Sequence, residues 1–401
     1  MIQRIHQHRL ATASVIVFLL CPMAFFIPRS AIWLLALGGM VGLLTGSITS
    51  SDIKSPISLA ILGLILWGGI SSIWSLGSLE SLALSFRLLL IWGFGIGWCS
   101  LLKDYSETEH SKILRWLFLG VITSFVFLGI DYILGNPWQN LWQKSSAKAF
   151  IPLGLAISLS AWLCILWLRS AASITLFLGA AFLIFSLIDC DSTSVGLVVG
   201  LVVFGLCFLM PKVTVRSAQI LAIITILVTP FAVHSFLTVD RIHDINQNMR
   251  SYSYVHRLYI WQAIGEKIQN NWMLGYGLDS SRHDQLGGAQ KKWPMIDHAD
   301  QEIIINSREI PIHPHNAPLQ WWLELGVIGA LLGTLLIVRL LQALLPFRGM
   351  ALAVPMGLLT TSSVIAFVNL GFWQTWWLAV LWILAGLLMP LLRQPPHKIK
   401  N

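Results

Sequence analysis

The sequence predicts an all-α integral membrane protein with about 12 spanning helices and one long polar segment on its outer face. Three observations carry this expectation. The chain is 56% hydrophobic and only 11% charged, a balance foreign to soluble domains. Apolar runs, most of them close to the roughly 20 residues that a spanning helix needs, recur along the chain. The basic residues, finally, are unevenly shared between the pieces that separate those runs.

The runs occupy approximately residues 10–27, 31–48, 56–74, 82–102, 116–134, 150–168, 172–189, 194–210, 217–236, 317–343, 351–370 and 374–392. The first lacks a small-residue cleavage site, and Arg29 and further runs follow it. It is therefore expected to stay as an anchor rather than be removed as a signal peptide. With the N-terminus inside, the short inner pieces hold 14 of the 26 Lys and Arg residues, whereas the short outer loops hold only Arg29, Lys144 and Lys148. The long segment holds eight more, and Arg87 lies within a run. This asymmetry places both ends of the chain on the cytoplasmic side.

The net charge of +8 follows from that bias; no basic stripe is interleaved with aromatics as a nucleic-acid surface requires, so no nucleic acid is expected as a partner. Cys21, Cys99, Cys164, Cys190 and Cys207 fall in or beside apolar runs without CxxC spacing, which argues against a disulfide framework or a cysteine metal site. Trp138, Trp142, Trp373, Trp376 and Trp377 lie near the expected outer boundaries, where an aromatic belt needs no further function.

Three regions result: a membrane block at 1–236, a long outer segment at 237–316 and a second membrane block at 317–401. The outer segment begins with a polar stretch, Arg241 to Tyr254, expected to be partly helical. From His256 to Trp272 the apolar positions Leu258, Trp261, Ile264 and Ile268 recur at three- and four-residue steps, which predicts an amphipathic helix lying on the membrane surface. Leu274-Gly275-Tyr276-Gly277 ends it. Gly287 to Ser307 reads as loop with little regular structure.

The polar chemistry collects at His313-Pro314-His315-Asn316, directly before the tenth run. Asn316 is a natural N-cap and Pro318 is tolerated in a first helical turn, so His315 is expected at the outer mouth of that helix. The helix dipole and partial burial both favour neutral imidazole, the form a general base requires. A surface histidine that merely caps a helix is the competing reading. Gly326 and Gly329 share a face and are expected to admit a neighbouring helix. Glu324, inside the same run and on the face of Gln320, must be paired or protonated; it could orient the neighbours of His315, bind a basic group or join two helices.

His315-Asn316, nine residues, then Gly326-Val327-Ile328-Gly329 resembles the signature of the O-antigen ligase family of membrane glycosyltransferases. The run Leu319-Gln320-Trp321-Trp322-Leu323-Glu324-Leu325-Gly326 is similar to the family's leucine-rich stretch with Glu before Gly. Upstream, Arg257, then Ile260-Trp261-Gln262-Ala263, then Leu274-Gly275-Tyr276-Gly277 looks like the family's succession of Arg, Trp, Ala and Gly-x-Gly. The likeness is close over about 255–330 and elsewhere extends only to the number of runs and the place of the large loop.

The resemblance implies a GT-C-like fold in the bacterial inner membrane, an active site facing the periplasm and a role in lipopolysaccharide biosynthesis. The donor would be a glycan on undecaprenyl pyrophosphate and the acceptor a sugar hydroxyl of lipid A-core, joined with inversion. His315 would be the base, with His313 and Asn316 supporting it. Arg257, then Arg282, would stabilise the pyrophosphate through planar forks of donors; for Arg257 the competing reading is a pairing with membrane lipid headgroups. One departure stands out. The family's Ser-Arg-Gly-like motif falls where this chain reads Asp189-Cys190-Asp191-Ser192-Thr193-Ser194-Val195, without an arginine. Arg87 is a candidate substitute, against simple snorkelling, and Lys148 a weaker one.

Asp189 and Asp191 offer an oxygen pair that would suit Mg or Mn, but such pairs arise easily by chance, and no metal or other cofactor is expected. His283, His298 and His313 match no helical zinc-ligand spacing. A polymerase of lipid-linked repeat units shares all this chemistry and is the alternative function. A protein-glycosylating relative is less in keeping with a chain that ends at Asn401, soon after the last run. A transporter would call for paired interrupted helices in two halves, for which the sequence offers little.

Overall fold

The structure, a computed structural model, describes residues 2–45, 48–144, 150–168, 170–187, 191–249, 252–288, 290–296 and 302–392. In chain order its first block comprises α1 (Ile2–Phe26), α2 (Ala31–Thr45), the short α3 (Ser50–Ile53), α4 (Pro56–Ile70) and α5 (Ser78–Leu102). It continues with α6 (Glu107–Ile133), the short α7 (Pro137–Lys144), α8 (Phe150–Trp167), α9 (Ala171–Leu187), α10 (Asp191–Leu209) and α11 (Pro211–Phe236). The polar segment follows as α12 (Val239–Met249), α13 (Tyr252–Asn270), the single turn α14 (Asp284–Gly287), β1 (Gln290–Ile296) and β2 (Glu302–Arg308). The last block is α15 (Ala317–Leu344), α16 (Met350–Val368) and α17 (Thr375–Leu392).

Each of the twelve apolar runs coincides with one helix. Among the described residues, nine helices are long and apolar enough to cross a membrane, and the apolar stretches Ala31–Thr45, Ile151–Trp167 and Ala171–Phe182 are shorter. This is the build of an integral membrane protein. Helix starts are set by local chemistry. Ser55 Oγ accepts from Ser58 N at 3.2 Å with Pro56 beginning α4, and Ser106 with Glu109 forms a capping box on α6.

Inside the bundle α1 packs on α6, α2 on α5, α10 on α16, and α15 on α11 and α4. Ala13, Ile16, Val17 and Leu20 of α1 are fully buried, so this helix is part of the core. Small residues allow the closest approach: a Cβ on Gly42 of α2 would collide with the backbone of Gly97 on α5. Lipid is as apolar as these side chains, so such contacts stabilise by dispersion and close fit rather than by removal from water.

Several expectations are corrected. The stretch Gly287 to Ser307 is not structureless, because β1 and β2 pair antiparallel, from Gln290 opposite Arg308 to Ile296 opposite Glu302. Ile303, Ile304 and Ile305 favour a strand, and Trp293 is buried against Tyr259 of α13 with ring centroids 4.8 Å apart. A two-stranded sheet has free edges, so Pro294 is tolerated. Helix α13 exists, but its apolar face does not lie on lipid. Ile260, Ala263, Ile264 and Ile268 are buried in one cluster with Val233 of α11 and Leu319 and Trp322 of α15, a protein wall that takes the place of the membrane.

Trp373, Trp376 and Trp377 are likewise buried in the protein rather than exposed as a belt, and Trp138 stacks on Phe25 of α1. The positions Lys148, Asp189, Cys190 and His298 lie outside the described residues, as do the side chains of Trp142 and Asp191.

The largest departure from simple helical packing is at Gly326. Here φ is 64° and ψ −161°, which divides α15 into two helical pieces about 13 Å below its start by helix rise. What approaches is a loop, not the neighbouring helix expected at Gly326 and Gly329. A Cβ on Gly326 would collide with the carbonyl of Met273, and one on Gly275 (φ 68°) would press on Glu324 and Gly326. Gly329 is instead crowded by Leu325 of the preceding turn. The break leaves backbone groups without helical partners, and the loop and α4 supply them. Tyr276 N donates to Leu323 O at 2.9 Å, Gly277 N to Glu324 O at 2.8 Å, and Trp67 Nε1 to Leu325 O at 2.9 Å. Val327 N donates to Trp272 O at 2.9 Å. Irregular backbone at this depth is tolerable only because protein buries and satisfies it.

Candidate active site

Four hydrogen bonds hold the loop Ile312–Asn316. Asn316 takes extended backbone (φ −158°, ψ 110°) and its Oδ1 accepts from Leu319 N at 3.0 Å, capping α15 as expected. Trp261 Nε1 of α13 donates to Pro314 O at 3.0 Å. Ser281 Oγ reaches Ile312 O at 3.3 Å. His315 Nδ1 donates to Asn369 O, at the C-terminal end of α16, at 2.8 Å.

That last contact settles the tautomer. A carbonyl can only accept, so Nδ1 carries the proton and the basic nitrogen of the neutral ring is Nε2. His315 is half-buried, and its backbone is left-handed with φ 54°. Among the described residues three non-glycine positions have positive φ, and two of them, Asp279 and His315, belong to this region. Such conformations cost of order 1–3 kcal/mol each and persist where surrounding contacts over-determine them.

The ring of His313 stands edge-on to that of His315 with centroids 4.2 Å apart. Burial, then the proximity of His315, Arg282 and Arg257, pushes the basicity of His313 down to about 3. It is therefore neutral at physiological pH, and Arg257 and Arg282 lie within electrostatic reach of it.

Arg257 is half-buried on α13, with its guanidinium 5.5 Å from the Tyr254 ring. Arg282 is half-exposed and its Nε donates to Asp279 Oδ1 at 2.8 Å. Burial raises Asp279 above the usual carboxylate range, Arg282 and Arg87 pull it back, and Glu80 adds to the rise. Arg87 is thus gathered to the same end of the bundle; its exposed side chain donates from Nε to Ala83 O at 3.4 Å.

Glu324 is fully buried and accepts four hydrogen bonds. The donors are Ser281 Oγ (2.7 Å), Gln320 Nε2 (3.0 Å), Asp279 N (2.8 Å) and Trp373 Nε1 (2.8 Å). Gln320 Oε1 in turn accepts from Phe372 N at 2.7 Å. Among the described residues Glu324 pairs with no basic group; it joins the Asp279–Arg282 loop, α15 and the turn before α17, and its partner Ser281 also reaches Ile312 O beside His313. A carboxyl group buried this deeply is tolerated because its oxygens are hydrogen-bonded.

His313, His315 and Asn316, with Arg257, Arg282 and Arg87, are thus brought to one end of the bundle, while Gly326 and Gly329 belong to the helix break below. Sequence reasoning missed Asp279, Ser281, Asn369 and Gly371. The polar run Asp279-Ser280-Ser281-Arg282 after two glycines, and a lone asparagine closing an apolar run, were the signals available.

Comparison with known proteins finds likeness at the level of sequence. Residues 190–333 match the family model described as O-antigen ligase. A Rickettsia conorii protein named "Putative polysaccharide ligase" is 26% identical over 344 residues, covering 84% of this chain and 79% of its own. Proteins with the same description from Rickettsia felis (25% over 344 residues; 84% and 80%) and Rickettsia typhi (28% over 298 residues; 71% and 69%) are similar. No solved structure matches. The matched segment is thus similar to the O-antigen ligase family, and the motifs from Arg257 to Gly329 lie within it.

Proposed function

We propose that this protein is an O-antigen ligase-type glycosyltransferase of the bacterial inner membrane, GT-C-like, with its His315 end facing the periplasm. It moves a glycan from undecaprenyl pyrophosphate to a sugar hydroxyl of lipid A-core. Its twelve helices cross the membrane with both ends inside, and the segment 237–316 forms the periplasmic subdomain between the membrane blocks 1–236 and 317–401.

The observation that carries this reading is the Nδ1 contact to Asn369 O, which leaves Nε2 as the basic nitrogen of His315 beside a set of arginines. In the reaction Nε2 takes the proton of the acceptor hydroxyl, and the oxygen attacks the anomeric carbon. The bond from that carbon to the pyrophosphate oxygen breaks on the opposite face, and undecaprenyl pyrophosphate leaves with the electron pair. The product is an inverted glycoside. Arg257, Arg282 and Arg87 stabilise the charge that develops on the leaving group, a task suited to guanidinium. His313, neutral throughout, supports the base without competing for its proton. No metal is required, so transfer should continue in EDTA without added nucleotide; dependence on Mg or Mn would contradict this.

The test is transfer by the purified full-length protein, given undecaprenyl-pyrophosphate glycan with lipid A-core. Capped lipid A-core is the expected product. Self-extension of the donor with no capping would instead identify a polymerase of lipid-linked repeat units.

A further inference from the structure

The turn between α16 and α17, residues 369–373, lies outside the segment matched by the family model, yet it touches the candidate site at four places. Asn369 O accepts from His315 Nδ1. Gly371 lies against His313, where an added Cβ would stand 2.9 Å from the His313 Cβ and 3.0 Å from its Cγ. Phe372 N donates to Gln320 Oε1, and Trp373 Nε1 to Glu324 Oε2. Four contacts from five residues hold the position of this turn against α15.

Asn369 adds a fifth anchor. Its side-chain Nδ2 donates to Ser192 Oγ at 2.8 Å. Ser192 is in the first turn of α10, within the stretch where the expected arginine motif is missing. The base is thereby tied through one residue to a helix 177 positions away in sequence from that residue.

We propose that Asn369 is a positioning residue for His315: its carbonyl holds the Nδ1 proton, so that Nε2 stays basic, and its amide bond to Ser192 keeps that carbonyl in place. The proposal rests on the reading of His315 as general base. If the tether is lost, the carbonyl drifts and the ring is no longer confined to the useful tautomer and orientation. A mis-set tautomer lowers turnover more than substrate binding. It also removes a dipole that favours imidazolium, so the acid limb of the pH profile should move to lower pH. His315 faces His313 on its own loop; Arg257 on α13 and Arg282 act on His313, and Arg282, Arg87 and Glu80 on Asp279; none of these groups is altered by the test.

The test uses full-length protein in lipid nanodiscs, with undecaprenyl-pyrophosphate glycan and lipid A-core, comparing Asn369→Ala, Ser192→Ala, Ser192→Thr and His315→Ala. Asn369→Ala and Ser192→Ala are expected to lower kcat about 10- to 100-fold with KM held within about twofold, and to shift the acid limb downward. Ser192→Thr keeps the hydroxyl and should retain wild-type kcat. If His315→Ala is inactive while Asn369→Ala and Ser192→Ala keep the wild-type kcat and acid limb, the positioning role is wrong and the base assignment survives. If His315→Ala stays active, the base assignment itself fails.

Discussion

At the scale of single residues, two histidines 4.2 Å apart have been given different states by their surroundings. His315 is half-buried, with its proton fixed at Nδ1, whereas His313 is buried and held neutral down to about pH 3. The stability consequence has a definite sign. In the unfolded chain His313 binds a proton below its ordinary value of 6.5, but in the folded protein it does not do so until about 3. Stability is therefore full above about pH 6.5 and falls as pH drops towards 3, with a slope of about 1.4 kcal/mol per pH unit from this group. Thermal melting of the purified protein should show that decline, and His313→Asn should flatten it; an equally steep decline in the variant would exclude His313 as its source. Arg257 is expected to behave differently from a lipid-anchoring cation. Arg257→Ala should abolish transfer while the protein remains inserted, and Arg257→Lys should fail to restore it because a point charge does not reproduce the planar fork. Full activity in Arg257→Ala, read as capped lipopolysaccharide in cells, would return this arginine to a headgroup role.

At the scale of elements, the broken helix α15 and the loop that fills its break decide where the chemistry stands. Glycine is the one residue type that combines φ 64° with a carbonyl, that of Met273, standing where a Cβ would be. Gly326→Ala is expected to destabilise the protein by at least about 2 kcal/mol, seen as a lower melting temperature, and to loosen the Asp279–Arg282 loop. Gly329→Ala collides with the Cβ of Leu325 and also destabilises, but Gly329 has no positive φ to strain, so it should cost less; equal losses in both variants would contradict the account of the break. Much of this level was legible in the sequence. The twelve helices follow from run length, and the Asn316 cap from Asn-Ala-Pro at the head of a run. The hairpin was not, since the Lys-Lys-Trp-Pro sequence hides its alternation and strand pairing is not a local property. The surface placing of α13 also failed, because periodicity shows that a helix has an apolar face but not whether lipid or protein covers it.

For the whole molecule, the helical bundle acts as a frame that delivers residues far apart in sequence to one end. His315 and Asn369 are 54 positions apart, and Asp279 and Glu324 are 45 apart. Such partnerships depend on the register of whole helices, which explains why the histidine was readable from its motif while its hydrogen-bond partner was not. Arg87, Arg257 and Arg282 likewise come from three separate elements to the region of Asp279 and His313. The measurement that tests the central claim most directly is glycan transfer to lipid A-core by purified His315→Ala protein beside the wild type. A loss of at least about 100-fold is expected, in a protein that remains folded and inserted in the membrane. Transfer at the wild-type rate would contradict it.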